Sequence, residues 1–207
     1  DVVIEPGQQP DEREALHSML DHFTPDDPQK YIITADRGYE SYDLLFHCEL
    51  KNLGYVFRVK SPSSPKSILS YYASELPDDL EEFDVTIKRF FTDKATNIMK
   101  SQSDVYRYIN PSKNTPHFYE LLRKNHSHLY FLQFRVVKIK TAENTYEYLI
   151  TNLPFSFTLD DIQECYHWRW GIEISFRYLK HAAGLLYFHS KQPEFLKQEI
   201  YSRLILY

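Results

Sequence analysis

The 207-residue sequence predicts an α/β fold, in which a parallel strand–helix–strand unit is followed by a β-rich stretch and then by closing helices. Two patterns predict this class. Apolar residues recur at three- and four-residue steps near both ends of the chain, as in amphipathic helices. Between them, short runs of β-branched and aromatic residues alternate with turn residues, as in strands. Hydrophobic residues make up 43% of the chain and charged residues 26%, which is ordinary globular usage and excludes a disordered chain.

The first 60 residues alternate between strand and helix signals. A nearly continuous apolar run at 31–35 is typical of a strand buried on both faces. Strand, helix and strand within about 30 residues predict a parallel βαβ unit. The predicted elements are a strand at Val2–Ile4, a helix at Asp11–Phe23, a strand at Tyr31–Ala35, a helix at Ser41–Leu53 with Gly54 as its stop signal, and a strand at Tyr55–Val59.

From residue 61 onward, the residue pattern is mostly that of antiparallel strands. Residues 61–155 are therefore predicted to form a β-rich insertion, between a first core segment at 1–60 and C-terminal helices at 156–207. The elements predicted after residue 60 are strands at Asp84–Phe91, Val105–Ile109, Tyr130–Ile139 and Tyr146–Thr151, and helices at Thr115–Asn125, Thr158–Leu186 and Pro193–Tyr207.

The predicted helix at Thr158–Leu186 carries a polar stripe beside an apolar one. At 100° per residue, the four stripe residues Tyr166, Arg169, Glu173 and Lys180 fall within an arc of about 60°. The neighbouring apolar stripe is predicted to pack on the sheet and to point Glu173 toward the strand ends. It consists of Trp168, Ile172, Phe176, Leu179 and Ala183.

Two carboxylates stand out, and each has a structural alternative. Glu173 is four residues from Arg169, so the pair also fits an ordinary ion pair on a helix surface. Asp36 ends a predicted parallel strand, which is where open α/β sheets place their functional sites. It equally fits a turn aspartate that caps the helix beginning near Ser41. The residues alone leave both questions open.

The same residues resemble sequence motifs of a known protein family. Asp36-Arg37-Gly38-Tyr39 resembles the D-R-G-Y at a strand end of insertion-sequence transposases. Tyr166, Arg169, Glu173 and Lys180 have the order and spacing of the Y-R-E-K signature of the insertion-sequence-four family of DDE transposases. Residues 6–20 also resemble that family's segment between its first and second catalytic strands. The resemblance covers nearly the whole chain and is least specific over 61–154.

The resemblance implies a ribonuclease H-like fold, a mixed sheet flanked by helices with a mostly antiparallel β insertion before the Glu-bearing helix. It implies metal-dependent DNA strand cleavage and strand transfer at a site of three carboxylates and two Mg²⁺ or Mn²⁺ ions. Asp36 would be the second catalytic Asp and Glu173 the catalytic Glu, both as metal ligands. Hard cations prefer such oxygen ligands. The first catalytic Asp is expected on a strand that precedes Asp1, so activity of this chain alone is doubtful.

The resemblance also implies partners. Tyr166, Arg169 and Lys180 would contact the DNA backbone, and Trp170 and Arg37 are further candidates for DNA contact. The expected partner is double-stranded DNA at transposon ends, bound by a homodimer. A cytoplasmic, nucleoid-associated protein is expected, since no apolar run approaches the ~18 residues of a membrane span and no secretory leader opens the chain.

Other interpretations of the sequence remain open. A catalytically inactive DNA-binding or structural remnant of a transposase would keep the fold without the activity, and a nuclease on the same fold would share the carboxylates. A zinc site is disfavoured, because the pairs His126-x-His128 and Cys165-x-His167 do not form a usual four-ligand set.

Overall fold

The structure, a computed structural model, describes residues 11–110, 115–182, 184–185 and 187–205. The chain divides into two compact units, one formed by Glu12–Tyr166 and the other containing residues 167–205. The strand predicted at Val2–Ile4 lies outside the described residues. Within the described residues, every helix is too short or too polar to cross a bilayer.

The first unit is built on one mixed sheet of six strands in the order β1-β2-β6-β5-β3-β4, counted over the described residues. The outer pairs β1/β2 and β3/β4 are parallel, and the pairs β2/β6, β6/β5 and β5/β3 are antiparallel. Flanked by helices, this sheet confirms the predicted α/β class and agrees with a ribonuclease H-like fold. The strands are β1 (Ile32–Ala35), β2 (Gly54–Val59), β3 (Phe83–Thr92), β4 (Tyr106–Tyr108), β5 (Leu129–Ala142) and β6 (Thr145–Thr151).

The predicted βαβ unit is confirmed. Helix α2 (Tyr42–Leu50) connects β1 to β2, and Ser41 caps it, since its hydroxyl accepts a hydrogen bond from the Leu44 amide at 3.2 Å. The predicted stop at Gly54 is wrong, because α2 ends at Leu50 and Gly54 is the first residue of β2. There its amide donates to the carbonyl of Tyr31 at 3.0 Å.

Helices α1 (Glu12–His22), α3 (Asn97–Ser101) and α4 (Pro116–Lys124) also accompany the sheet in the first unit. A cluster of aromatic rings centres on Phe46 of α2. Its ring centroid lies 5.2 Å from that of Phe91 on β3 and 4.8 Å from that of Phe118 on α4, and all three side chains are fully buried. Large buried rings supply much of a core's hydrophobic stabilisation, so this cluster ties α2 and α4 to the sheet.

The predicted helix at Thr158–Leu186 is interrupted. It forms α5 (Leu159–His167) and α6 (Trp170–His181), and its far end at Leu186 lies outside the described residues. At the break, the amides of Gly171 and Ile172 bond to carbonyls three residues back rather than four. This tighter 3₁₀ pattern, beside a glycine of low helix propensity, ends the regular α-helix. The last helix, α7 (Pro193–Ile205), is close to its predicted bounds.

The apolar stripe predicted along that helix is not a buried face. Trp168 is 70% exposed and Ile172 and Phe176 are each more than half exposed, whereas Leu179 is buried. Ala183 lies outside the described residues. The angles were counted along one continuous helix, so they do not apply across the break. The second unit also has only about 40 residues, and a unit this small has little other structure to cover its apolar side chains.

Candidate active site

Asp36 lies at the carboxyl end of β1, where the sequence placed it. Its carboxylate Oδ1 accepts a hydrogen bond at 2.7 Å from the amide of Arg37, which opens a single 3₁₀ turn at Arg37–Tyr39. The side chain is 42% exposed. The interpretation that Asp36 caps helix α2 is wrong, because Ser41 occupies that position. A half-exposed carboxylate at the end of a parallel strand is accessible to a ligand from solvent.

Tyr166 is brought next to Asp36 from 130 positions away. Its hydroxyl oxygen lies 3.5 Å from Asp36 Oδ1, which is a long contact for a hydrogen bond. The ring itself is buried near the end of α5, in an apolar cluster that includes Val56 and Leu149 of the sheet and Ile162 of α5. The burial of the ring leaves the hydroxyl as the part of Tyr166 that meets the site.

Arg58 and Glu147 extend the site along the sheet. Arg58 follows Phe57, the residue that pairs with Ala35 in the parallel register, so it lies beside Asp36. One guanidinium nitrogen is 3.7 Å from Asp36 Oδ1, and the other is 3.1 Å from Glu147 Oε1 on β6. No local sequence pattern predicts a role for Glu147. Glu147 meets Arg58 because β2 pairs with β6, and these strands are about 90 positions apart in the chain.

The contacts of Asp36 leave one of its oxygens for a ligand. The Arg37 amide, the Arg58 guanidinium and the Tyr166 hydroxyl all meet Oδ1. Within the described part of the chain, Oδ2 has no hydrogen-bond partner. An exposed carboxylate oxygen is the donor type that Mg²⁺ and Mn²⁺ prefer, so the chemistry of this position fits a divalent metal.

Negatively charged side chains also lie near the turn that follows Asp36. Partial burial raises the pKa of the Tyr39 hydroxyl above its ordinary value of 10.0, and the charges of Glu12 and Asp36 raise it further. The hydroxyl of Tyr39 therefore stays protonated at neutral pH and is available as a hydrogen-bond donor.

The other residues of the four-residue signature lie in the second unit. Arg169 donates to Glu173 Oε1 at 2.8 Å across one helical turn, so the ion pair considered from the sequence does form. The Glu173 side chain is 45% exposed and that of Arg169 is 13% exposed. Trp170 and Lys180 on α6 are exposed, as is Arg37 in the first unit. The meeting of Asp36 and Glu173 at one cation pocket stays a prediction.

Two other cations of the first unit pair with carboxylates. Arg89 is buried and pairs with Glu75, and Lys60 pairs with the buried Glu40 at 3.0 Å. Lys88, in contrast, is exposed.

Comparison with known proteins identifies the class. A family model described as a transposase DDE domain matches residues 1–207. Curated relatives include a putative transposase InsL for insertion sequence element IS186A of Escherichia coli K12 and a transposase for insertion sequence element IS421 of Escherichia coli. Each is 34% identical over 73 residues, which is 34% of this chain and 20% of the relative. The chain thus spans about a fifth of the length of the curated relatives it matches.

This family model matches the whole chain, and a carboxylate at the end of a parallel strand in a mixed sheet agrees with a DDE transposase domain. The chain belongs to the transposase DDE domain family. Members of that family are DNA transposases of the polynucleotidyl transferase type and generally use divalent metal ions. The fold and family therefore agree with the expectations from the sequence at this level.

Proposed function

We propose that this chain is part of the catalytic core of a cut-and-paste transposase of the insertion-sequence-four family, with Asp36 and Glu173 as two of its three metal-binding carboxylates. The observation that carries the proposal is the 3.5 Å approach of the Tyr166 hydroxyl to Asp36. Asp36 belongs to the D-R-G-Y sequence and Tyr166 to the Y-R-E-K signature. Their proximity supports the view that the two signatures serve one site.

The metal would be held by carboxylate oxygens. Asp36 offers Oδ2, the oxygen without a hydrogen-bond partner in the described residues, and Glu173 offers a carboxylate that is nearly half exposed. When bound, two Mg²⁺ or Mn²⁺ ions activate the attacking water or 3′-hydroxyl and stabilise the leaving oxygen of the phosphodiester. Catalysis would require Glu173 to exchange at least part of its contact with Arg169 for the cation.

The surrounding side chains orient this carboxylate and bind the DNA. Arg58 holds Asp36 from the Oδ1 side and is itself anchored by Glu147, so it fixes the direction in which Oδ2 points. Arg169 and Lys180 bind phosphate oxygens, since guanidinium and ammonium groups form strong charge-assisted hydrogen bonds with them. Exposed Trp170 and Arg37 extend the contact to the sugar–phosphate backbone or the bases.

The proposed partner of the whole protein is double-stranded DNA at the transposon ends, in a complex containing two copies of the transposase. Its proposed location is the bacterial cytoplasm, in association with the nucleoid. Both proposals rest on the family and on the charged residues named above.

The test is strand cleavage by the full-length transposase that contains this chain, on a plasmid carrying the element's ends, with Mn²⁺. We expect Asp36→Asn and Glu173→Gln each to abolish cleavage while far-UV circular dichroism stays unchanged. Asp27→Asn is the matched control, since Asp27 pairs with the exposed Lys30 on the surface of the first unit. Cleavage by Asp36→Asn at the wild-type rate would remove Asp36 from the site.

The same assay separates the enzyme from the inactive remnant. A remnant would bind the DNA ends in a gel-shift experiment and show no cleavage with either Mg²⁺ or Mn²⁺ in the wild-type protein. The proposed enzyme shows both activities. Only cleavage is lost in Asp36→Asn, because that substitution removes a metal ligand and leaves the DNA-binding cations in place.

A further inference from the structure

One guanidinium group in the first unit contacts two carboxylates beside the candidate active site. Arg58 lies near the end of β2, Asp36 directly follows β1, and Glu147 lies on β6. One terminal nitrogen of Arg58 is 3.1 Å from Glu147 Oε1, and the other is 3.7 Å from Asp36 Oδ1. The side chains of Arg58 and Glu147 are mostly buried, whereas that of Asp36 is nearly half exposed.

Strand pairing sets this arrangement. Arg58 lies directly opposite Leu149 in the antiparallel register of β2 and β6. Glu147 is two residues from Leu149, so it lies on the same face of the sheet as Arg58. Leu149 belongs to the apolar cluster that contains the Tyr166 ring. The pair of Arg58 and Glu147 is therefore on the face of the sheet from which Tyr166 approaches Asp36.

The two contacts of Arg58 are unequal. The separation of 3.1 Å from Glu147 lies within the range of a hydrogen bond, and the separation of 3.7 Å from Asp36 lies beyond it. Glu147 is thus the closer partner of the guanidinium, and Asp36 has only a longer electrostatic contact with it. Among the described residues, Oδ2 of Asp36 has no hydrogen-bond partner.

Without Glu147, the guanidinium would pair with Asp36 instead. A shift of about 1 Å would bring it to the distance of a charge-assisted hydrogen bond from Asp36. The planar fork of arginine matches both oxygens of a carboxylate, so such a pair becomes bidentate. A bidentate pair would occupy Oδ2, the oxygen that the proposed function assigns to the cation.

We propose that Glu147 is a positioning residue for the metal site. By holding Arg58, it keeps the guanidinium from closing on Asp36 and leaves Oδ2 open to Mg²⁺ or Mn²⁺. The inference rests on the proposed function, in which Asp36 is a metal ligand. Glu147 itself contacts neither metal nor DNA in this role and acts through Arg58.

Two other roles for Glu147 give different experimental results. An ion pair that is only structural, at a partly exposed position, contributes little to stability and would leave cation binding unchanged. A carboxylate that acts by its charge alone would attract a cation whether or not Arg58 is present. The positioning role requires both side chains, so substituting them singly and together separates the three roles.

The experiment measures Mn²⁺ binding to the full-length transposase that contains this chain, without DNA, from the electron paramagnetic resonance signal of free Mn²⁺. The binding that Asp36→Asn loses defines the site. We expect Glu147→Ala to raise the Mn²⁺ dissociation constant of this site about 10–100-fold, as the loss of residues that orient metal ligands generally does. A wild-type dissociation constant for Glu147→Ala would overturn the proposal.

Two further variants support this measurement. Glu81→Ala is the matched control, because it removes an exposed carboxylate that pairs with Lys140, and it should bind Mn²⁺ as the wild type does. Glu147→Met keeps the length of the side chain and offers Arg58 no oxygen, so it should raise the dissociation constant as Glu147→Ala does. Far-UV circular dichroism identifies which variants are folded, and Glu147→Met maintains the test where Glu147→Ala folds poorly.

A double-substitution cycle tests the route through Arg58. In an Arg58→Gln background, Glu147→Ala should change the dissociation constant by less than about twofold, because no guanidinium remains to close on Asp36. A change as large as that in the wild-type background would overturn the proposal and show that the charge of Glu147 acts directly.

Failure of this inference is distinguishable from failure of the proposed function. Wild-type Mn²⁺ binding by Asp36→Asn would remove Asp36 as a metal ligand and overturn both. Loss of binding in Asp36→Asn, together with wild-type binding in Glu147→Ala and Glu147→Met, would overturn the role of Glu147 and leave the proposed function in place.

Discussion

Replacing Glu40 with alanine should destabilise the first unit strongly. Glu40 follows the D-R-G-Y sequence directly and its side chain is almost completely buried. Its Oε2 accepts from the amide and the ammonium group of Lys60, both at 3.0 Å. Its Oε1 accepts from the amide of Ile68 at 2.7 Å and from the hydroxyl of Ser67 at 3.0 Å. One carboxylate thus joins the segment after β1 to the end of β2 and to the following 3₁₀ helix.

The magnitude follows from the donors that Glu40→Ala leaves behind. The amides of Lys60 and Ile68 lose their acceptor, and each such unsatisfied group costs about 1–3 kcal/mol. The Ser67 hydroxyl keeps a second acceptor, the carbonyl of Lys60 at 2.7 Å, and the Lys60 side chain is one-third exposed and can be rehydrated. We therefore expect a loss of about 2–6 kcal/mol in the free energy of unfolding.

The assay is urea unfolding of the 207-residue chain, followed by circular dichroism at neutral pH. Asp27→Ala is the control, because Asp27 and Lys30 form an exposed ion pair worth at most about 1 kcal/mol. Glu40→Gln should fall between the two, since one amide oxygen still accepts a bond while the charge opposite Lys60 is lost. A loss below about 1 kcal/mol for Glu40→Ala would refute the inference that these donors depend on Glu40.

Two further substitutions test packing and pH dependence. Gly54→Ala should cost about 1–3 kcal/mol in urea unfolding, because its Cβ would lie 3.0 Å from Leu153 Cδ2 and 3.1 Å from the carbonyl oxygen of Tyr31; a neutral effect would contradict this. Burial raises the pKa of Glu49 above its ordinary value of 4.5, so the folded state binds this proton more tightly than the unfolded state does. The stabilisation from that proton is complete below the unfolded pKa and is lost as pH rises through the folded one. Glu49→Gln should therefore flatten the stability–pH curve above pH 4.5, and an unchanged slope would show that Glu49 does not contribute to it.

Local patterns in the sequence determined most of the elements in the first unit. The strands at 32–35, 54–59 and 145–151 and the helices at 12–22 and 116–124 lie within a few residues of their predicted bounds. Periodicity and caps depend on residues close together in the chain, so a single sequence contains them. The carboxylate at the end of β1 was predicted for the same reason, as was the signature that includes Tyr166.

The interrupted helix shows the limit of such patterns. The run from Thr158 has helical periodicity throughout, yet α5 ends at His167 and α6 starts at Trp170. Periodicity shows which residues are apolar. It does not show whether the folded protein provides one continuous surface for them to pack against. The exposure of Trp168 therefore could not be read from its position in the stripe.

What the sequence by itself determined is the α/β class and the resemblance to DDE transposases, because motifs and periodicities are properties of neighbouring residues. Tertiary structure alone decided the rest: the strand order that places Arg58 between Asp36 and Glu147, and the approach of Tyr166 to Asp36. These contacts join residues 22 to 130 positions apart, and only the packing of helices on the sheet brings such side chains together.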